Sequence, residues 1–297
     1  MGSSPIARSI VSFFMIIWIA SYPKSGNTYL RSFISSYYFS KKGKFQFDLL
    51  LNILQFPSIK FTKNNVYSEL EASQNWLYNQ NQFFDKDKIH FVKTHNCLSE
   101  YKNNKFTTHN ETLGAIYIVR DPRNVITSIK HHYMLDYDKA YSKMMDKNCS
   151  ILEKSVDQDF SNFTYLSSWS NHYKSWKSCK EFEILFLKYE DLENNKIETF
   201  RKIILFINKL QNKEVIINED KFRNSIKSTN FANLKNKETV EGFFEAAFSK
   251  EKGKKINFFN LGFNNRWQKI LPVEFLQKLN TNLRDDLIEL GYNINNE

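Results

Sequence analysis

Four polar clusters in this chain carry residue types suited to chemistry on an anion. They are Lys24 with Ser25, Gly26, Asn27, Thr28 and Tyr29; Lys93-Thr94-His95; Arg120-Asp121-Pro122-Arg123 with Ser128; and Tyr189-Glu190-Asp191. The first is the most informative. Ile16 to Ala20 is an uninterrupted apolar run, Pro23 and Gly26 break it, and Leu30, Phe33 and Ile34 then recur at helical spacing. A strand, a tight loop and a helix in that order aim backbone N–H groups at whatever lies over the helix N-terminus, and the helix dipole favours an anion there. Lys24 adds a full positive charge, so the loop reads as a phosphate or sulfate cradle. His95 offers a proton acceptor beside the cation Lys93. Singly, these residues have ordinary uses as a turn cation, a surface histidine, a helix-start ion pair and a helix-surface serine. Function is argued by their shared placement at strand ends.

The loop is not a nucleoside-triphosphate site of the Walker type. There the Lys and a magnesium-binding Ser or Thr follow the last Gly, whereas Lys24 precedes Gly26, and no acidic strand end offers a second metal ligand. Metal-assisted phosphoryl transfer by a P-loop-like kinase is therefore disfavoured, and no metal is expected. A sulfuryl donor can be handled by Lys and backbone amides without magnesium.

Tyr22-Pro23-Lys24-Ser25-Gly26-Asn27-Thr28-Tyr29-Leu30 resembles the 5′-phosphosulfate loop, Y-P-K-S-G-T-T-W, of sulfotransferases that use 3′-phosphoadenosine 5′-phosphosulfate (PAPS). Arg120-Asp121-Pro122-Arg123-Asn124-Val125, with Ser128 eight residues after Arg120, resembles that family's 3′-phosphate site. The resemblance runs from about Met15 to about Trp267. It implies a P-loop-like α/β fold of three layers, with PAPS as donor and 3′-phosphoadenosine 5′-phosphate (PAP) as product. In the implied roles Lys24 stabilises the leaving phosphate, and the amides from Ser25 to Tyr29 hold the 5′ end. Arg120 and Ser128 grip the 3′-phosphate, while His95 is the general base with Lys93 as supporting cation. Tyr189 contacts the nucleotide, Thr229 and Phe231 match a T-x-F segment near the adenine, and Tyr29 stands where the family has a Trp stacked on that base.

One segment departs from the pattern. The family's R-K-G-x-x-G-x-W appears as Asn260-Leu261-Gly262-Phe263-Asn264-Asn265-Arg266-Trp267, so Gly262 and Trp267 align while the two cations are missing. Lys254, Lys255 and Arg266 are the nearby candidates to replace them. The family's C-terminal dimer motif is not recognisable near 268–277, which leaves the oligomeric state open.

The elements that must position these clusters follow from pattern. Strands are expected at Ile16–Ala20, Ile89–His95, Leu113–Val119 and Glu183–Leu187. Asp121 as N-cap and Pro122 as first helical residue predict a helix towards Tyr133. Further helices are expected over 69–79, 163–176, about 192–210, 222–234 and 273–290. Loops are expected over 134–160, with short helical pieces, and over 235–257. Strands alternating with helices imply a mostly parallel sheet covered on both faces, with ligands at the carboxyl ends of the strands. His131 and His132 are expected on the surface, and Trp169, His172 and Trp176 in packing.

The 297 residues, 41% hydrophobic, suit a sizeable core, read as a single domain over 15–297 behind a loose leader over 1–14. Arg8 followed by an apolar run resembles a signal peptide, but cleavage after Ala20 would remove the strand that carries the loop. Forty-two Lys and Arg against thirty-two Asp and Glu give +10, which suits a polyanionic partner or reflects Lys-rich solvated faces. The alternative function is a basic polyanion or nucleic-acid binder, but no nucleic-acid module is recognisable and none is expected as partner. Cys97, Cys149 and Cys179, widely spaced, read as reduced thiols in a cytoplasmic protein. A small-molecule, carbohydrate or lipid hydroxyl acceptor is expected among residues 38–81, 134–160 and 235–257, and no transmembrane segment is expected.

Overall fold

The structure, a computed structural model, describes residues 15–85, 87–152, 159–214, 216–249 and 253–294. The proposed leader over 1–14 lies outside them. Strand β1, Met15–Ser21, runs straight into the loop and then into helix α1, Asn27–Phe39. β1 is buried along its described side chains because it lies at the centre of the sheet. After a short edge strand β2, Leu54–Gln55, helices α2 (Glu69–Gln74) and α3 (Trp76–Phe83) lead into β3, Ile89–Thr94. β4, Thr112–Val119, is followed by α4, Pro122–Tyr133, with Asp121 capping the Arg123 amide.

Helix α5, Tyr137–Met145, comes next, then the antiparallel pair β5 (Ser150–Ile151) and β6 (Thr164–Tyr165) and helix α6, Trp169–Lys177. β7, Ile184–Lys188, leads through α7 (Asp191–Asn194) into α8, Lys196–Leu210. Helices α9 (Glu219–Ser228) and α10 (Phe231–Glu241) precede a small hairpin of β8 (Phe248–Ser249) and β9 (Lys254–Lys255). The chain ends in α11 (Trp267–Ile270), α12 (Val273–Asn282) and α13 (Arg284–Glu289).

The main sheet has five strands in the order β2-β3-β1-β4-β7, all parallel. Alternation along β1 sends successive side chains to opposite faces. Ile16, Trp18 and Ala20 pack with Val125, Ile126 and Ile129 of α4 and Trp169, Tyr173 and Trp176 of α6. Ile17 and Ile19 pack with Leu30, Phe33 and Ile34 of α1 and Ile203, Ile204 and Ile207 of α8. These are the three layers expected, and a strand buried on both faces explains why β1 reads as a continuous apolar run rather than an alternating one.

Several expected elements differ. The 163–176 pattern is helical only from Trp169, because Ser168 caps that helix while Thr164–Tyr165 pairs with Ser150–Ile151. The 222–234 helix breaks at Thr229, where Asn230 caps a new helix that takes up the first part of the expected 235–257 loop. The 273–290 helix divides at Leu283, whose side chain is buried. Among the described residues, no helix is long and apolar enough to cross a membrane. The three cysteines are unpaired.

Candidate active site

Because β1, β3, β4 and β7 are parallel neighbours, their carboxyl ends lie along one edge, and the four polar clusters meet there. A cavity of about 590 Å³ opens at that edge. Its lining includes Lys24, Gly26, Asn27, Thr28, Tyr29, Lys93, His95, Arg120, Ser128, Tyr189, Phe231 and Gly262.

The loop between β1 and α1 uses two left-handed residues, Lys24 at φ 67° and Gly26 at φ 99°. Positive φ in a lysine costs about 1 kcal/mol or more and is kept only where the surroundings impose it. Here the Ser25 amide donates to the Tyr22 carbonyl and closes the turn. Gly26 has a second constraint, since a Cβ there would lie 2.3 Å from the Tyr189 ring. α1 has no side-chain cap, so its first amides keep their capacity for a guest. The Asn27 side chain faces inward, donating to the Ile19 carbonyl at 3.0 Å and to Ser21 Oγ at 3.3 Å, which leaves its backbone amide for the cradle. The Lys24 side chain is half-buried, with its ammonium 4.1 Å from the centroid of the Phe258 ring. Burial, helped by Arg120 and Lys93, brings its pKa down to about 7 against the pull of Glu245.

Arg120 is a buried cation whose hydrogen bonds go to neutral oxygens. Nη1 donates to the Lys24 carbonyl at 3.2 Å and to Ser128 Oγ at 3.4 Å, and Nη2 to the Gly262 carbonyl at 3.2 Å. Nε has no partner, and none of the ion pairs among the described residues includes this guanidinium. Its plane lies 4.2 Å from the Tyr189 ring centroid. Ser128 Oγ also accepts from Asn265 Nδ2 at 2.9 Å, so its own hydroxyl proton is left to donate. Arg120, Ser128 and their neighbours thus form a largely desolvated set of donors, whose chemistry suits an anion.

His95 has a defined tautomer. Its Nδ1 lies 2.7 Å from the Ser21 carbonyl oxygen, which can only accept, so Nδ1 carries the proton and Nε2 the lone pair. Burial, with Lys93 second, holds its pKa well below the usual histidine value. The residue is therefore a neutral imidazole with a bare nitrogen. His172, expected only to pack, also fixes this segment: its Nε2 donates to the His95 carbonyl at 3.0 Å, while Nδ1 accepts from the Tyr117 hydroxyl at 2.8 Å.

An aromatic slot lies beside the Arg120 cluster. Tyr29 and Phe231 line the cavity, and a Cβ on Gly262 would lie 2.4 Å from Phe231. Phe263, which no motif singled out, stacks on Tyr189 at 4.8 Å and meets Tyr29 edge-on at 5.7 Å. Glu238 secures the segment opposite the loop by accepting from the amides of Phe258 and Phe259 at 2.6 and 2.8 Å.

Other placements differ from the sequence reading. Thr229 does not line the cavity; its buried hydroxyl donates to the Ser225 carbonyl. Ser25 is buried beneath the loop with its hydroxyl unpartnered. Lys254, Lys255 and Arg266 do not line the cavity either, and Lys255 instead donates to the Phe243 carbonyl. Asn260 and Leu261, which stand where the pattern has its two late cations, line the cavity without charge, while the Gly262 carbonyl accepts from Arg120 and Asn265 donates to Ser128. His132, expected at the surface, lines the cavity and meets Phe258 edge-on at 5.9 Å, with its pKa lowered to about 3 by burial and by Lys24. Helical spacing could have revealed it, since 128 and 132 share one face of α4.

The family model described as "Sulfotransferase domain" matches residues 16–291. The amine sulfotransferase of Oryctolagus cuniculus is 25% identical over 240 residues, covering 78% of this chain and 70% of that protein. The luciferin sulfotransferase of Photinus pyralis is 24% identical over 248 residues, covering 75% of this chain and 58% of that protein. Among solved structures, retinol dehydratase in complex with androsterone and the inactive cofactor PAP superposes with a TM-score of 0.58 at 17% identity, covering 92% of this chain and 80% of that one. That likeness extends the agreement to the fold.

Proposed function

The chain belongs to the sulfotransferase-domain family, and from that membership we propose that it moves a sulfuryl group from PAPS to the hydroxyl of a small acceptor, with His95 as general base. The observation that carries this reading is Arg120: a buried cation without a carboxylate partner among the described residues, which touches the Lys24 loop on one side and grips Ser128 on the other. It joins two anion sites into one nucleotide-sized track.

PAPS, when bound, supplies the sulfuryl group and a phosphate leaving group. Lys24 and the first amides of α1 hold the 5′ end, Arg120 and Ser128 hold the 3′-phosphate, and Tyr29 with Phe231 borders the base. His95 Nε2 takes the proton of the acceptor hydroxyl as its oxygen attacks sulfur in line with the leaving phosphate, and Lys24 stabilises the charge that develops there. A neutral imidazole is required for that step, and burial keeps His95 in that form. The acceptor enters from the side lined by His132, Tyr133 and Tyr137, a wall of aromatic faces suited to a flat or ring-containing molecule. The relatives named for amine and luciferin acceptors are consistent with small molecules of this kind.

Calorimetric titration with PAP in EDTA tests the donor, with one-to-one binding expected. Labelled PAPS offered with a panel of hydroxyl acceptors tests the transfer. Absence of PAP binding, or binding that disappears when magnesium is removed, overturns the reading.

A further inference from the structure

The cations of the cradle already hold an anion, and it belongs to the chain itself. Glu245 follows α10 and brings its carboxylate into the cavity, where Oε2 accepts from the Thr28 hydroxyl at 2.9 Å. Both carboxylate oxygens accept from Arg31 Nη2, at 2.7 and 2.8 Å, and Oε1 lies 3.4 Å from Lys93 Nζ. Arg31 is 2% exposed and Glu245 17%. Neither residue belongs to the recognised motifs.

The Thr28 hydroxyl has one proton, and it is committed to Glu245; its oxygen also accepts from Arg31 at 3.0 Å. On the donor reading Thr28 is one of the cradle residues that hold the guest's 5′ end, so an incoming phosphosulfate meets a carboxylate on the same donor, with little water to screen the two charges. We propose that Glu245 is a resident anion of the donor site, which the 5′-phosphosulfate must displace from Thr28 and Lys93, so that Glu245 sets donor affinity and hastens release of the product. This rests on the donor reading above.

The exchange needs only the Glu245 side chain to swing. Phe243, two residues earlier, is anchored against Phe47 and Phe258. Gly242, at φ 74°, has no atom within 4 Å of where a Cβ would stand. Burial alone would raise the Glu245 pKa, but Arg31, Lys93 and the hydrogen bonds outweigh it and hold the carboxyl well below its usual range. It is therefore an anion throughout the neutral range. As it is displaced, the Thr28 hydroxyl and the Lys93 ammonium become donors to the guest, a gain at the 5′ end of a site that lacks the late Arg-Lys pair at the other.

The test is PAP binding by calorimetry to the wild type and to Glu245→Gln, which keeps the shape and removes the charge. PAP is expected to bind the variant at least about tenfold more tightly, the direction expected when a like charge is removed from a binding site. Unliganded, the variant is expected to unfold at a lower temperature, because Arg31 loses its buried partner. Unchanged or weaker PAP binding by the folded variant overturns the proposal and makes Glu245 a strut for Arg31 and Lys93. If Glu245→Gln does not fold, Glu245→Asp withdraws the carboxylate by one methylene and carries the same test: a gain in PAP affinity supports the proposal, and no gain overturns it. Failure of the wild type and the variant alike to bind PAP overturns the donor reading and this proposal together. Binding by the wild type without a gain in either variant overturns this proposal alone.

Discussion

His95 Nδ1 lies 2.7 Å from the carbonyl oxygen of Ser21, across the parallel pair of β3 and β1. The register that sets Ala20 beside Thr94 brings the next residues, Ser21 and His95, together at the strand ends. That contact assigns the proton to Nδ1 and leaves Nε2 bare. His95→Ala is therefore expected to lower turnover by about 10²- to 10⁴-fold. PAP affinity, measured by calorimetry, should stay within a few-fold of wild type. An equal loss of both overturns the role of base.

The same burial predicts a pH profile. A base with a pKa well below the usual histidine value stays unprotonated through the range in which an ordinary histidine takes up its proton. The acid limb of kcat/KM should therefore lie well to the acid side of an ordinary histidine titration. A limb centred at an ordinary histidine pKa contradicts it.

Lys24 predicts a proton linkage in binding. With a pKa of about 7 in the unliganded protein, it is largely neutral at pH 8 and largely charged at pH 6. A bound anion favours the charged form and raises that pKa, so binding at pH 8 takes up a proton and PAP affinity falls as pH rises above 7. Calorimetry in buffers of different ionisation enthalpy should report uptake approaching one proton at pH 8 and much less at pH 6. Equal uptake at both values contradicts the assignment.

Arg120→Ala should weaken PAP binding about 10- to 100-fold, the range for a charge-assisted hydrogen-bonded group. The loss should exceed that from Lys255→Ala, because Lys255 turns to the Phe243 carbonyl and not to the cavity. Comparable losses in the two variants would favour a diffuse basic surface, and a steep salt dependence would accompany them.

His172→Phe removes the donor to the His95 carbonyl and leaves the Tyr117 hydroxyl without its acceptor. Turnover is expected to fall about tenfold or more through misplacement of His95, with PAP affinity retained. The unfolding temperature should drop by several degrees, since a buried hydrogen-bonded network is broken. Unchanged turnover would confine His172 to packing.

Much of the architecture was legible because its signals are local. A doubly buried strand shows as an unbroken apolar run, Asp121-Pro122 starts a helix by itself, and Pro23 and Gly26 mark the turn. Parallel strands put their carboxyl ends on one edge, so the convergence of Lys24, His95, Arg120 and Tyr189 followed from the order of the elements. Boundaries were less legible where a side chain had to choose between neighbours, as at Ser168 and Asn230, whose hydroxyl and amide each cap a helix that periodicity alone would have begun elsewhere.

What the sequence by itself determined was the tight turn between β1 and α1, the succession of strands along the chain and the residue types available at their ends, since these depend on contacts within a few residues. Only the tertiary structure decided which of those residues face one another. The His95 tautomer depends on the Ser21 carbonyl, Phe258 covers Lys24 because Glu238 holds its backbone, and Glu245 reaches Arg31 across 214 positions. Each of these is a long-range pairing made when separate elements close on the sheet edge. A buried charge must find a partner wherever the fold supplies one, so no local pattern could name it.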